Sequence, residues 1–150
     1  MTLGTPPEAI YRALQDALAF GTRAIIENFE TQGLPVHRIV TSGGIAEKDP
    51  AFLQILADVT NREIGVARSP QACAVGAAIL GAIAAGAATG GHDNFASAAQ
   101  AMGGVKPKTF KPREKAVHAY GPLFSEYRKM ANYFGRGENE VMKWLRELRK

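Results

Sequence analysis

Cysteine is nearly absent from this sequence of 150 residues. The single cysteine, Cys73, cannot form a disulfide within one chain, and the first residues lack the charged and then apolar pattern of an export signal. We therefore expect a cytoplasmic protein. Because Cys73 lies in an apolar run without His, Lys or Arg within one helical turn, we expect a small packing residue and not a nucleophile.

Recognisable catalytic motifs are also lacking. Lys48 is followed by Asp49 rather than by Ser or Thr, so there is no P-loop, and no dinucleotide-binding fingerprint is present. The three histidines stand without cysteine or carboxylate neighbours at metal-ligand spacing. No local Ser/His/Asp arrangement is visible either. The sequence therefore predicts no catalytic residue and no metal site in this chain.

Charged side chains are missing from residues 69–91, a stretch long enough to cross a membrane. Most of its residues are Ala and Gly, whose transfer out of water contributes little compared with that of Leu or Ile. We therefore expect no membrane partner, and instead a helix near 71–88 with Ser69 and Pro70 as its N-cap and first position. This helix is expected to cover the sheet, and its small-residue face can approach a sheet, another backbone or a flat ring closely.

Positive charge is scarce in the first two thirds of the chain and concentrated in the last third. Residues 1–104 hold six Lys or Arg and nine Asp or Glu, whereas residues 105–150 hold twelve and five. Such asymmetry can indicate nucleic-acid binding. No RNA-recognition or helix-turn-helix signature accompanies it, so we expect a solvated basic face and no nucleic-acid partner.

The stretch 39–59 has the strongest pattern. Ile39–Ser42 reads as a short buried strand, and Gly43 and Gly44 end it where the chain needs a positive φ or a close approach to its backbone. One interpretation is a tight strand-to-helix turn. The other is a nucleotide cradle at the carboxyl end of a strand, where backbone N–H groups, Ser42 and the cation of Lys48 would meet phosphates.

The flanking sequence predicts two strands and several helices. Asp49 fits an N-cap and Pro50 the first helical position, and a second strand after this helix makes the connection parallel. Strands are expected near 38–42 and 63–67, and helices near 8–31, 50–60, 71–88, 95–102, 118–134 and 138–148.

Two of these helices carry apolar stripes. The first stripe should pack on a sheet, and the second, which is rich in aromatic residues, should dock on the body of the protein. The first consists of Ile10, Leu14, Ala17, Leu18, Ala24, Ile25 and Phe29, and the second of Tyr120, Leu123, Phe124, Tyr127, Met130, Ala131 and Phe134.

Three runs in the sequence resemble a known family. They are Ala19–Glu27, then Ser42-Gly43-Gly44 followed by Lys48-Asp49-Pro50 and by Gln54 to Val59, and then Ala74 to Ala78. Together they resemble the carboxyl-terminal domain of the FGGY sugar kinases, over roughly residues 8–150. The Phe-Gly-Thr-Arg run and the tail around residues 120–135 are similar to the kinases of L-ribulose within that family.

The resemblance implies an α/β fold, part of an actin-like, RNase H-like ATPase lobe with two parallel strands, flanking helices and a helical carboxyl-terminal extension. Residues 1–104 would form part of the second, ATP-binding lobe, and residues 105–150 a basic linker and the extension. The catalytic aspartate, the first phosphate loop and the sugar site of the family have no counterpart here. The chain is therefore expected to be the last quarter to third of a kinase, and inactive by itself.

The resemblance also assigns ligands and residues. ATP with Mg²⁺ and a ketopentose are the implied ligands of the complete enzyme. Gly43 and Gly44 would lie against phosphates or ribose, and Lys48 and Asp49 near adenosine. Relatives often have Asn or Ser at the position of Asp49, and a carboxylate accepts hydrogen bonds but does not donate them, so capping the helix is the safer role for Asp49. Ser42 lies beside this group. Gly76 and Ala77 would line the adenosine site or pack beneath it.

A second hypothesis is a non-catalytic association module that packs on a partner through the aromatic carboxyl-terminal helices. Separately, because two parallel strands are rarely stable alone, we expect exposed sheet edges that are covered by a partner copy, as in a homo-oligomer, or by a swapped element.

Overall fold

A computed structural model describes residues 2–137 and 139–148. The predicted helix over 138–148 starts at a residue outside the described ones, and a helix is found within that range. In chain order the elements are α1 (Pro7–Thr31), β1 (Arg38–Thr41), α2 (Gly44–Lys48), α3 (Pro50–Thr60), β2 (Glu63–Val66), α4 (Ala72–Ala85), a 3-10 turn (Ala87–Thr89), α5 (Phe95–Met102), α6 (Glu114–Gly135) and α7 (Val141–Glu147).

The two strands pair in parallel, as predicted, with Ile39 opposite Ile64 and Thr41 opposite Val66. The segment 105–110 covers the outer edge of β2, because Ile64 and Phe110 exchange both backbone hydrogen bonds at 2.9 Å. The opposite edge of the sheet, along β1, pairs with none of the described residues.

Helix α3 lies at the centre of the core. Asp49 caps it, as predicted, by accepting the Phe52 N–H at 2.9 Å, and the left-handed Asn61 (φ 52°) ends it before β2. The helix packs against α1, α6 and β2. Its buried residues are Leu53, Ile55, Leu56, Ala57, Asp58, Val59 and Thr60.

The stripe predicted on α1 is not the face that this helix buries. Leu14, Leu18 and Ile25 are 60–62% exposed, and the helix packs on α3 and α6 instead of on the sheet. The buried positions are Gln15, Ala19, Phe20 and Ile26, one residue around the helix from the stripe. The helical spacing of the apolar residues was predicted correctly, but the larger apolar face is exposed to solvent along a helix of 25 residues, about 37 Å.

Helix α4 also differs from expectation. It begins at Ala72 with Gln71 as N-cap, because the Ser69 hydroxyl accepts the Gln71 N–H at 3.1 Å in a turn before the helix. It packs on α5 and not on the strands, and Cys73 is exposed. Of the described residues, none belongs to a helix long and apolar enough to cross a membrane.

The aromatic stripe of α6 docks in part, as predicted. Tyr120 and Phe124 are buried and pack around Phe20 of α1 with ring centroids 5.8–5.9 Å apart. The Tyr120 hydroxyl donates to Asp16 at 2.8 Å and accepts from Arg12 at 2.5 Å, while burial raises the pKa of this tyrosine. The outer positions of the stripe, Leu123, Met130 and Phe134, remain exposed.

A buried carboxylate joins α3 to the start of α6. Asp58, 1% exposed, accepts the amide of Gln54 at 3.0 Å, the backbone N–H of Arg113 at 2.8 Å and its guanidinium at 2.6 Å. Gln54 also donates to the Lys111 carbonyl at 2.9 Å. The Gln-x-x-x-Asp pattern therefore fixes the covering segment against the core.

We predict that Asp58→Ala lowers the free energy of unfolding by about 3 kcal/mol, because it leaves buried donors without an acceptor. Urea unfolding followed by circular dichroism measures this. Glu126→Ala is the control, since it breaks an exposed pair with Lys129 that contributes at most about 0.5 kcal/mol. Equal losses in the two variants would contradict the assigned role.

The open edge of β1 and the exposed stripe of α1 predict self-association, because unpaired strand edges and large apolar faces pair with other chains. Light scattering at about 100 µM should give a mass above that of one chain. Leu18→Glu combined with Ile25→Glu should reduce it, and Ala13→Glu, at an exposed position of the same helix, should not. A monomer at this concentration would refute the prediction.

Candidate functional site

The carboxyl ends of both strands meet at one edge of the sheet, since the Ala67 N–H donates to the Thr41 carbonyl at 2.8 Å. Ser42 and Gly43 follow β1 at this edge, and Arg68 follows β2. Open α/β sheets bind ligands at the carboxyl ends of their strands. This edge is therefore the candidate site, and it contains the Gly-Gly pair that the sequence singled out.

The two glycines have different roles. Gly43 has φ +87° and ψ −173°, a conformation that side chains other than hydrogen resist. Gly44 has no positive φ and is the first residue of α2, so of the two expected reasons for glycine only a close approach to the backbone remains there. A Cβ added at either glycine would meet no atom within 4 Å, so both border open space.

The short helix α2 was missed at the sequence level because only Gly44–Lys48 separate the turn from the cap of α3. The Gly43 carbonyl accepts the Glu47 N–H at 3.3 Å, and Glu47 pairs with Lys106 at 2.6 Å. Lys48 is exposed, and among the described residues it forms no ion pair. Its cation is thus available at this edge.

A groove of about 510 Å³ separates this region from α1. Gly44, Lys48 and Asp49 line one wall, and the first half of α1 lines the other through Tyr11 and Leu14. The α1 contribution could not be read from local sequence, because it depends on how α1 crosses α3.

Asp49 is occupied by structural contacts. One carboxylate oxygen caps α3, and the other accepts the Gln15 amide at 2.7 Å and the Tyr11 hydroxyl at 3.3 Å. The cap and the tether to α1 therefore use both oxygens.

The predicted residues of α4 lie apart from this groove. Gly76 is half-buried and lines a second cavity of about 230 Å³, together with Arg68 at the end of β2. Ala77 is exposed and lines neither cavity. The predicted site residues of 42–49 therefore lie together after β1, whereas Gly76 lies alone on the β2 side and Ala77 lies outside both cavities.

A polar cavity of about 560 Å³ lies towards the opposite end of the sheet, where Arg62 precedes β2. Arg62 bonds to Glu30 and thereby lowers the pKa of that carboxyl, and Arg23 pairs with Glu27 at 2.9 Å. Because both arginines are paired within the chain, this cavity offers a ligand less free charge than the carboxyl edge does.

Comparisons with known proteins find a matching family and similar proteins. Residues 1–85 match the model of the FGGY family of carbohydrate kinases, C-terminal domain. The ribulokinase of Bacillus licheniformis is 50% identical over 149 residues, which are 99% of this chain and 27% of that protein. The ribulokinase of Halalkalibacterium halodurans is 51% identical over 148 residues, 99% of this chain and 26% of that protein. The chain thus spans about a quarter of the length of these relatives.

Solved structures show the same fold at low identity. The xylulose kinase of Lactobacillus acidophilus superimposes with a TM-score of 0.77 at 20% identity, covering 91% of this chain and 26% of that one. The xylulose kinase of Rhodospirillum rubrum gives 0.74 at 23% identity, with coverages of 89% and 26%. The α/β fold expected of an ATPase-lobe portion is confirmed.

We predict that Asp49→Ala destabilises the chain by about 1–2 kcal/mol, through loss of the cap and of the tether to α1. Asp49→Asn should lose less, because an amide oxygen still caps the helix. Thermal unfolding of both variants measures the difference. An Ala variant as stable as wild type would show that these contacts contribute nothing.

Proposed function

The chain belongs to the FGGY family of carbohydrate kinases, and from this membership we propose that it forms the nucleotide-binding portion of an ATP-dependent sugar kinase. The observation that carries the proposal is the Gly43 turn at the carboxyl edge, within the part of the chain that matches the family. The domain assignment, with residues 1–104 in the ATP-binding lobe and 105–150 as linker and extension, is part of the same proposal.

The nucleotide would approach residues that have no side chain in the way. The positive φ of Gly43 turns the backbone, and Gly44 borders open space, so phosphate or ribose oxygens can reach main-chain N–H groups. Ser42 supplies a hydroxyl at the same edge, and Lys48 supplies a cation that has no ion-pair partner in the described part of the chain. We assign Asp49 to positioning α1 and α3, Gly76 to the border of the adenosine region, and Ala77 to its periphery.

We propose L-ribulose or a related ketopentose as the acceptor, because the relatives at about 50% identity are ribulokinases. The reaction is then an in-line transfer of the γ-phosphoryl group, in which the protein contributes position and charge stabilisation. The sugar site and the base that takes the hydroxyl proton are assigned to the part of the relatives that this chain does not span. A cytoplasmic location fits this metabolism.

Mg²⁺ is the metal that such a transfer uses, held through phosphates and carboxylates. Residues 2–137 and 139–148 contain no cluster of three His, Cys, Asp or Glu that could hold an ion, and Asp49 is occupied. We therefore assign no Mg²⁺ ligand to this chain.

A second role, as an association module, is favoured by one observation. Leu123, Met130 and Phe134 on α6 and Trp144 on α7 are 45–57% exposed. Large apolar side chains of this kind form the centres of protein interfaces. This surface would serve contacts within or between kinase molecules.

We predict that the isolated chain binds ATP with a dissociation constant of about 1 mM, roughly −4 kcal/mol, because the edge is open to solvent on one side. Gly44→Val should abolish binding, since the added side chain projects into the space that the ligand enters. Lys48→Ala should weaken it less, by one charge-assisted bond worth about 1.5–3 kcal/mol. Shifts of backbone amide signals in an NMR titration with ATP measure the dissociation constants of the wild type and of both variants.

Gly81→Val is the matched control, because this α4 glycine also borders open space and lies outside both cavities. Micromolar binding that survives Gly44→Val would place the cradle elsewhere. A coupled assay with L-ribulose should show no ADP release, since the sugar site and the base for the hydroxyl proton are assigned to the part of the relatives that this chain does not span. Turnover by this chain alone would refute the division of roles.

A further inference from the structure

The covering segment, residues 105–113, reaches the candidate site from the outer side of the sheet. It runs antiparallel to β2, with Phe110 opposite Ile64 and the Lys106 N–H donating to the Val66 carbonyl at 2.7 Å. Because Val66 is the last residue of β2, Lys106 lies at the carboxyl edge of the sheet, where the chain also turns at Gly43.

The position of this segment does not depend on the Lys106 side chain. Gly65 of β2 leaves room for Val105, since an added Cβ would come within 2.9 Å of the Val105 Cγ1. At the other end of the segment, Arg113 donates to the buried Asp58 from its backbone N–H and from its guanidinium. A substitution of the Lys106 side chain therefore leaves these contacts in place.

Helix α2, in contrast, has little support at the end beside the glycines. It is five residues long, of which Ala46 is the buried one, and so short a helix is not stable by itself. Its carboxyl end continues into Asp49, which caps α3. At its amino end, the hydrogen bond from the Glu47 N–H to the Gly43 carbonyl is long, at 3.3 Å. The amino end therefore needs a contact with another element.

Lys106 supplies this contact. Its Nζ donates to Glu47 Oε1 at 2.6 Å, and the two side chains are 38% and 32% exposed. Within residues 2–137 and 139–148, no other side-chain hydrogen bond or ion pair joins α2 to another element. Because the N–H of the same Glu47 bonds to Gly43, the ion pair acts directly on the turn.

Resting on the proposed nucleotide binding, we propose that Lys106 is a positioning residue of the nucleotide site. Through Glu47 it holds α2, and it thereby keeps the turn at Gly43 and Gly44 in the conformation that leaves its backbone open. Lys106 itself does not contact the nucleotide. The carboxyl-terminal third of the chain thus takes part in forming a site whose other residues lie in the first two thirds.

The first test measures ATP binding by NMR titration of the full chain. Lys106→Gln should raise the dissociation constant about threefold, which is the size of effect that a partly exposed ion pair supplies. Lys106→Arg can form the same ion pair and should bind ATP as wild type does. Lys108→Gln is the matched control, because it removes an equal charge from an exposed position of the same segment and should leave binding unchanged.

A double variant separates position from charge. Lys106→Gln combined with Glu47→Gln keeps the net charge of the wild type but lacks the ion pair. It should bind ATP about threefold more weakly than the wild type, as Lys106→Gln does. A double variant that binds ATP as tightly as the wild type would show that Lys106 merely offsets the charge of Glu47, and would overturn the positioning role.

The second test needs no ligand. In Lys106→Gln and in the double variant, the backbone amide signals of Gly43 and Gly44 should shift and their hydrogen exchange should be faster, whereas Lys108→Gln should leave both unchanged. Thermal unfolding measures global stability, which Lys106→Gln should change no more than Lys108→Gln does. Unchanged signals of the two glycines together with weaker ATP binding would make Lys106 a direct phosphate contact and would refute the inference.

Two further outcomes separate this inference from the proposed function. If wild type and Lys106→Gln bind ATP equally and have the same ligand-free glycine signals, the role of Lys106 is refuted and the proposed nucleotide binding stands. If the folded wild-type chain binds no ATP, the proposed function is refuted, and the role of Lys106 in nucleotide binding with it.

Discussion

The fold depends on the burial of one helix of 11 residues, α3, against two helices and a strand. A helix enclosed in this way has little polar surface of its own, so its ends and its one buried carboxylate must be satisfied by specific partners. Asp49 satisfies the amino end, Asn61 turns the carboxyl end into β2, and Asp58 receives the amide and guanidinium groups that approach it. These three polar residues fix the position of α1, of the sheet and of the segment that leads into α6.

The same constraint creates the candidate site. Because α3 connects two parallel strands, the carboxyl ends of both strands lie at the same edge, and the chain must leave β1 through a sharp turn before α3 can begin. Gly43 provides that turn with its positive φ. The tight turn and the nucleotide cradle were alternatives at the level of sequence. In the structure they are compatible, because the residue that turns the chain also leaves its backbone open.

The sequence was sufficient to predict those elements that depend only on residues close to one another along the chain. The strands near 38–42 and 63–67, the cap at Asp49 and the helix that follows it were predicted correctly, since each depends on neighbouring residue types. It was insufficient where partners are distant. Periodicity found the apolar stripe of α1 but could not tell which side faces α3, and small residues in α4 could not show that this helix packs on α5. The groove wall at Tyr11 and the exposure of Arg68 follow from tertiary contacts alone.

The distribution of charge at the edge follows from these contacts. Carboxylates near it are engaged: Asp49 bonds to Gln15 and Tyr11, and Glu47 pairs with Lys106. The cations of Lys48 and Arg68 have no such partners among the described residues. The charge of Glu47 is offset by Lys106, whereas Asp49 keeps its charge because its hydrogen-bond partners are neutral. Two cations without a charged partner, Lys48 and Arg68, thus stand against one such carboxylate, and this excess favours an anion even though residues 1–104 are acidic in sum. Net charge alone would have directed attention to the basic carboxyl-terminal third, whereas the pairing of individual side chains directs it to the ends of the two strands.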